Sequence, residues 1–477
     1  MPHRRLVRST PEEQGVSSRA LLAFVDDVES AVPELHSLMV VRHGCVVAEG
    51  WWAPYAADLP HELYSLSKSF TSAAVGLARA EGLLALEDLV LAHFPEHAPV
   101  EPDENLARMT LRHLLTMTTG HDDDPSDRVF AQHDWVRAFL AEPVEHEPGS
   151  HFVYNTAATY LLSAIVQKVT GLRVLDYLGP RLLEPLGITG ATWEQCPLGI
   201  DTGGFGLSLR TEDVACFGQL CLGDGLWQGR QLLPIGWVAE ATRAQTLSTH
   251  SAGDPDWVQG YGYQFWRGRH GTYRGDGAFG QFCLVLPELD AVVAITAGVA
   301  SMQGVLDRVW THVLPAMQKV ALAPDDAACD ALGSRLADLR LDPPVGLDAV
   351  DAAARISGRT VTFEPNPGEI RSARLDIGPE STRVRVVAER GTLVLEAGHG
   401  RWEFGRSAVR GEGPEAVAVS AVWTAPDTHV LTVRLYETPF VVTVTSVVDG
   451  DQVRAAAVVN VSFGPTEIAS LVGTVTG

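Results

Sequence analysis

The hydrophobic rhythm of the chain changes near residue 320. Before that point, strand-like and helix-like stretches are mixed. "SLMVVRHGCVVAEGWW" (37–52) reads as two strands around the turn "RHG". "SKSFTSAAVGLARAEG" (67–82) predicts an Ala-rich helix stopped by Gly82, and "TYLLSAIVQKVTG" (159–171) a second helix stopped by Gly171. Residues 261–298 carry a strand pattern with turns at "RHG" and "PELD", and "GVLDRVWTHVLPAMQKV" predicts a closing helix. Then the pattern breaks: "LAPDDAACDALGSRLADLRLDPPVG" is rich in Ala, Asp and Pro and reads as a connector. Beyond it come short segments such as "RTVTFE", "TRVRVVA", "HVLTVRLY" and "PFVVTVTSVV", separated by turns such as "VDGDQ". They predict roughly eight or nine strands forming one antiparallel barrel or sandwich. The expected organisation is a mixed α+β domain over residues 1–321, a linker over 322–347 and an antiparallel β domain over 348–477.

Composition narrows the picture. The 477 residues are 46% hydrophobic and 20% charged, enough for a large core. The formal net charge of −23 would repel nucleic acid and anionic membranes, so neither is expected as a partner. Six cysteines lie scattered without CxxC pairs, which fits reduced buried thiols rather than a zinc site or disulfide framework. "MPHRRLVRSTPEEQG" lacks the apolar core of a signal peptide. No run approaches the roughly 20 apolar residues of a membrane span. The expectation is a soluble, cytoplasmic protein, with a homo-oligomer left open.

Charge usage then points to one segment. Of 36 Lys and Arg residues only Lys68, Lys168 and Lys319 are lysines. Lys68 follows Ser65 by three positions, in "YSLSKSF". At the start of the 67–82 helix that spacing stacks the two side chains on one face. The helix N-terminus adds unpaired N–H groups and a positive dipole end. A serine hydroxyl needs a base, and Arg cannot lose its proton, whereas a buried Lys can. Ser65 and Lys68 are therefore a candidate nucleophile and base, against the plainer reading of a chance S-x-x-K match.

Three further segments complete a pattern. They are "MTLRHLLTMTTGH" (109–121), "PGSHFVYNTAATYLLSAIVQKVTG" (148–171) and "RGDGAFGQFCLVLPELDAVVAITAG" (274–298). Taken with S-x-x-K, they make roughly residues 10–320 resemble the serine hydrolases built like class C β-lactamases and DD-peptidases. That family includes esterases, amidases, D-aminopeptidases, transacylases and aminohexanoate-dimer hydrolases. The resemblance implies a catalytic domain of antiparallel sheet and helices with an all-helical subdomain. It also implies a trailing β domain that in some relatives is lipocalin-like.

The resemblance further implies that Tyr154, of a Y-x-N motif, moves protons with Lys68. A neighbouring Lys⁺ would favour the phenolate. It implies an oxyanion hole from the backbone N–H groups of Ser65 and Ala278. Two departures stand out. Thr156 replaces the motif's Asn, with Asn155 one place earlier. Gly275, Asp276 and Gly277 replace the K-T-G or H-x-G triad, so its cation is missing; Arg274 and His270 are the nearby candidates to stand in for it. Both departures argue against a penicillin as substrate, with Thr156, Gly275, Asp276 and Gly277 expected at the substrate.

"GDGAFG" (275–280) also spells G-x-G-x-x-G, but a strand pattern succeeds it where a dinucleotide site needs a helix. "GGFG" (203–206) reads as tight backbone packing, and "HDDD" (121–124) as a solvated acidic loop. The resulting expectation is a serine hydrolase forming an acyl-enzyme on a small-molecule ester or amide, most simply an esterase. It needs no cofactor and no metal, and its β-lactamase activity is weak or absent. An amidase, D-aminopeptidase or transacylase of the same fold is the nearer alternative. A catalytically idle relative that binds a ligand or partner is the alternative from another class.

Overall fold

The computed structural model describes residues 5–248, 254–347, 351–411 and 413–476. The chain divides into two compact units. One comprises Met1–Gly50, Ala57–Thr296 and Ser301–Ala337; the other comprises Trp51–Ala56, Ala297–Ala300 and Asp338–Gly477.

The first unit is organised on a seven-stranded sheet. Its strands are β1 (Val7–Arg8), β2 (Leu35–Arg42), β3 (Cys45–Trp51), β4 (Trp266–Arg267), β5 (Tyr273–Gly277), β6 (Gln281–Leu286) and β7 (Ala291–Ala297). They lie in the order β1-β3-β2-β7-β6-β5-β4. Every residue of β2, β6 and β7 is buried, which is why these strands read as apolar runs rather than alternations. Helix α1 (Ser18–Ala31) begins at an N-cap, the Ser17 side chain accepting from the Ala20 N–H. Helix α2 (Ser67–Ala80) is buried nearly all round, with Ser, Ala and Gly letting neighbours approach closely. A Cβ on Gly76 would come within 2.5 Å of the Trp237 ring. Helix α3 (Thr156–Thr170) starts at the N-cap Asn155 and stops at Gly171, which takes φ +73°. Helix α4 (Thr211–Leu222) packs on β2 and β6. Short helices between β3 and α4 gather around α2 and α3 as a helical subdomain.

The predicted closing helix runs Met302–Arg308 and continues in looser turns to Ala316. The Ala/Asp/Pro-rich stretch read as a connector contains helix α5 (Asp326–Ala337). It packs against α1 through Ala328 and Leu332, with Arg335 paired to Asp26 and Glu29. Its alternation of Ala and Asp hid a narrow apolar stripe.

The second unit is a barrel. Its strands are β8 (Thr360–Phe363), β9 (Ile370–Ile377), β10 (Ser381–Ala388), β11 (Gly391–Gly398), β12 (Glu403–Ser407), β13 (Glu415–Ala425), β14 (Thr428–Arg434), β15 (Val441–Asp449), β16 (Gln452–Val459) and β17 (Glu467–Thr476). Antiparallel pairing runs from β11 through β10, β9, β8, β17, β16, β15 and β14 to β13. The ring of nine closes where Gly398 of β11 meets Ser420 of β13, and the short β12 lies along the edge of β13. Closure decides between the two predicted architectures in favour of a barrel. Its core includes Val384, Leu395, Val417, Val419 and Val433. A cavity of about 130 Å³ opens among inner-wall residues including Leu375, Val386, Leu431, Ala455 and Ala457.

Among the described residues no helix is long and apolar enough to cross a membrane. All six cysteines are free thiols, four of them buried.

Candidate active site

Ser65 does not lie inside α2 but in the tight turn Tyr64–Leu66 that feeds it. Tyr64, just before it, adopts φ +47°. A bulky residue in that left-handed region is strained, by roughly 1–3 kcal/mol. The turn is held by Ser67, whose Oγ donates to the Tyr64 carbonyl (2.6 Å) and accepts from the Leu207 N–H (3.1 Å). Ser65 itself is half-buried and reachable.

One turn on, Lys68 is 1% exposed. Its Nζ lies 2.9 Å from Ser65 Oγ, 3.2 Å from Thr156 Oγ1 and 2.9 Å from the Gly204 carbonyl oxygen. Burial pulls its pKa down to about 7, with Asp124 and Asp276 opposing. The Gly204 carbonyl can only accept, so Nζ must donate there. The two hydroxyls can act either way. When the amine is neutral its lone pair can accept the proton of Ser65 Oγ.

The Lys68 Nζ lies over the Tyr154 ring, 4.8 Å from its centroid. The Tyr154 ring stacks on that of Trp266, with centroids 5.2 Å apart, and Ser65 and Trp266 influence its hydroxyl. Proximity to Lys⁺ does not favour the Tyr154 phenolate here, contrary to the expectation from sequence. Burial dominates and pushes the phenol well above its ordinary range, with Asp276 and Asp124 adding to the shift. Tyr154 is therefore a protonated phenol, and of the two groups only Lys68 is poised to take up a proton near neutrality.

The shift of the Asn by one position has a local cause. Asn155 is the α3 N-cap: its Oδ1 accepts from the Ala158 N–H (2.9 Å), and its Nδ2 lies 3.4 Å from both Thr119 Oγ1 and His121 Nδ1. Thr156, the first helical residue, is the one that reaches Lys68.

Strand β5 abuts the serine turn. A Cβ on Gly277 would stand 2.0 Å from the Leu63 carbonyl oxygen, and one on Gly275 would stand 2.4 Å from Leu66 Cδ1. Both glycines of "GDG" are thus required by close approach, which brings the next residue, Ala278, beside the Ser65 turn. Phe279, after Ala278, also adopts a left-handed φ of +67°, and its ring meets Tyr64 edge-on at 5.3 Å. Each proposed N–H donor therefore has a left-handed neighbour. No pattern of residue types announces this.

The two candidate cations stand in different settings. Arg274 is fully buried; its Nε donates to Asp276 (2.8 Å), its Nη1 to the Asp256 carbonyl (3.0 Å), and its guanidinium lies over Trp257. His270 is exposed in a turn, its ring 5.1 Å from Trp310. Strand β6 comes directly after "GDGAFG", which removes the dinucleotide reading. The "GGFG" segment packs tightly: a Cβ on Gly204 would lie 2.7 Å from Thr156 Cγ2. Its carbonyl contact with Lys68 escaped the sequence reading because backbone acceptors leave no residue-type signal. Asp122, Asp123 and Asp124 are exposed, as an acidic loop should be. Asp124 also accepts from the Ser126 N–H and Oγ, and Ser126 Oγ accepts from the Ala157 N–H, so Asp124 braces the start of α3 through Ser126.

Comparison with known proteins bears on this geometry. The family model described as Beta-lactamase matches residues 25–302. The 6-aminohexanoate-dimer hydrolase of Paenarthrobacter ureafaciens is 28% identical over 312 residues, covering 60% of this chain and 78% of that protein. Protein flp of Staphylococcus aureus is 30% identical over 173 residues, only 34% of its length. Among solved structures, EstCE1, described as a hydrolase with promiscuous acyltransferase activity, aligns with TM-score 0.52 and 19% identity, over 61% of this chain and 99% of that one. The octameric penicillin-binding protein homologue of Pyrococcus abyssi aligns with TM-score 0.50 and 14% identity, over 95% and 99%. At such identities the two structures speak for the fold alone.

Proposed function

The chain belongs to the β-lactamase family of hydrolases, and on that premise we propose that it acts through a Ser65 acyl-enzyme on small-molecule carboxylic esters. The observation that carries this reading is the desolvated Lys68 amine, 2.9 Å from Ser65 Oγ and with a pKa near 7. Neutral Lys68 takes the hydroxyl proton as Ser65 Oγ bonds to the carbonyl carbon. The backbone N–H groups of Ser65 and Ala278 hold the oxyanion. As the intermediate collapses, the bond to the leaving alkoxide breaks. The alkoxide takes the Tyr154 phenolic proton, which Lys68 replaces. Water then attacks the acyl-enzyme, giving its proton back through the same pair. The acid is released and Ser65 Oγ is reprotonated.

The electrostatics favour an uncharged acyl group. Arg274, the cation nearest the third motif, is neutralised by Asp276. Nothing in that pair offers a free positive charge to a substrate carboxylate. An ester's leaving group also tolerates the weak acid that Tyr154 provides. The relative named 6-aminohexanoate-dimer hydrolase supports an amide-acting alternative. The test is fluorophosphonate labelling and turnover of p-nitrophenyl esters against amides of the same acyl groups, with wild type and Ser65→Ala. Absence of Ser65-dependent labelling and turnover would sink the enzyme reading; faster turnover of the amides would replace the ester by the amide.

A further inference from the structure

Two loops run side by side ahead of Tyr154. The His146 N–H donates to the Gly120 carbonyl (2.8 Å), and the Gly149 N–H to the Thr118 carbonyl (2.8 Å). A third tie runs from the Asp122 N–H to Glu145 Oε2 (3.1 Å). Between His146 and His151 the chain turns through Pro148 and Gly149. Gly149 takes φ +94°, a conformation that favours glycine. The turn brings the two imidazoles back together: their ring centroids are 4.3 Å apart and their planes tilted by 30°. Asp122 reaches across from the first loop, its Oδ1 3.0 Å from His146 Nε2. One ligand-type atom from each of Asp122, His146 and His151 lies within 4.8 Å of the other two.

We propose that Asp122, His146 and His151 form a binding site for a divalent transition metal of the zinc class. The donor set decides the class. Two imidazoles and one carboxylate suit Zn²⁺ or Co²⁺, whereas Mg²⁺ and Ca²⁺ prefer oxygen ligands alone. Zn²⁺ holds nitrogen and oxygen ligands at about 2.0–2.1 Å, so tetrahedral partners stand roughly 3.4 Å apart. The His146–Asp122 pair, at 3.0 Å, is already near that separation, and the His151 ligand atom lies within 4.8 Å of both. Glu145 adds negative charge beside the cluster, its Oε2 accepting from the Asp122 N–H, while Asp123 and Glu147 are paired with Arg128 and Arg108. All three ligands reach solvent, so the fourth position would be taken by water. The consequence is mechanical. The metal would clip together two loops of which one runs into Tyr154, three residues beyond His151, and the other into Asp124, which braces the start of α3 through Ser126.

The test is equilibrium dialysis of the full chain, first stripped with a chelator, against Zn²⁺ and separately Co²⁺. Wild type should bind one equivalent, and bound Co²⁺ should show the visible absorption of a four- or five-coordinate site. His151→Ala and His146→Ala should each weaken binding at least tenfold, while His133→Ala, at an exposed histidine outside the cluster, should not. Circular dichroism checks that each variant is folded; if either fails, Asp122→Asn supplies the same comparison. Binding that is absent in wild type, or that survives every one of these substitutions, overturns the proposal.

Discussion

Lys68 Nζ and Ser65 Oγ stand 2.9 Å apart, and the remaining hydrogen-bond partners of that amine are a hydroxyl and a carbonyl rather than carboxylates. A buried ammonium with only neutral partners is costly, so the free base is favoured near neutrality. This sets the pH dependence. Below pH 7 Lys68 is protonated and cannot accept the serine proton; above it the base is available. kcat/KM for an ester should rise about tenfold per pH unit at low pH and level off above about pH 7. Lys68→Arg, which stays protonated, should lower kcat by about 10²–10⁴ and remove the rising limb. A profile flat from pH 5 to 8 would contradict this.

Tyr154→Phe keeps the ring on Trp266 and under Lys68 but deletes the hydroxyl. kcat should fall about 10²-fold or more with KM nearly unchanged, and the loss should be smaller for esters with good leaving groups. A uniform loss across leaving groups would place Tyr154 in binding rather than proton transfer.

Asp276 holds Arg274 in check. Asp276→Asn should leave the positive charge uncompensated, on a guanidinium whose Nη2 already has no hydrogen-bond partner among the described residues. The ratio of kcat/KM for esters with a carboxylate on the acyl side to neutral ones should rise about tenfold. Asp276 also raises the Lys68 pKa, so the rising limb should move to lower pH. The variant should lose stability by about 3–5 kcal/mol, as breaking a buried pair does, so Tm is measured in parallel.

Gly277→Ala would drive a methyl group into the Leu63 carbonyl, 2.0 Å away. Separation of β5 from the serine turn should cost at least tenfold in kcat and lower Tm. Gly405→Ala, with open space around it, serves as the control and should change neither.

The closeness of Ser65 and Lys68 was legible in the chain because the proposed chemistry restricts residue type. A nucleophilic Ser65, as proposed, needs a neighbour that can lose a proton, so one lysine among many arginines stood out, and the structure sets the two 2.9 Å apart. The helices of 67–82 and 159–171 and the paired strands after 261 were legible from periodicity and glycine stops. What escaped depends on backbone geometry. The left-handed turns at Tyr64 and Phe279 and the Gly204 carbonyl carry no residue signature. The two glycines of "GDG" read as a lost cation, and only the packing against Leu63 and Leu66 revealed their steric role. The protonated state of Tyr154 was not legible, because sequence shows a neighbour's charge but not the desolvation that outweighs it.

The barrel joins its first strand to its last: Val361 of β8 pairs with Val475 of β17, 114 residues later. Contacts so distant in sequence carry a large loop-closure entropy and slow the search for the native state. During synthesis the ring cannot shut until residue 475 has left the ribosome, so β8 waits with an unpaired edge while every later strand is made. Removal of even the last ten residues would leave two open edges, and the expected outcome is aggregation rather than a smaller barrel.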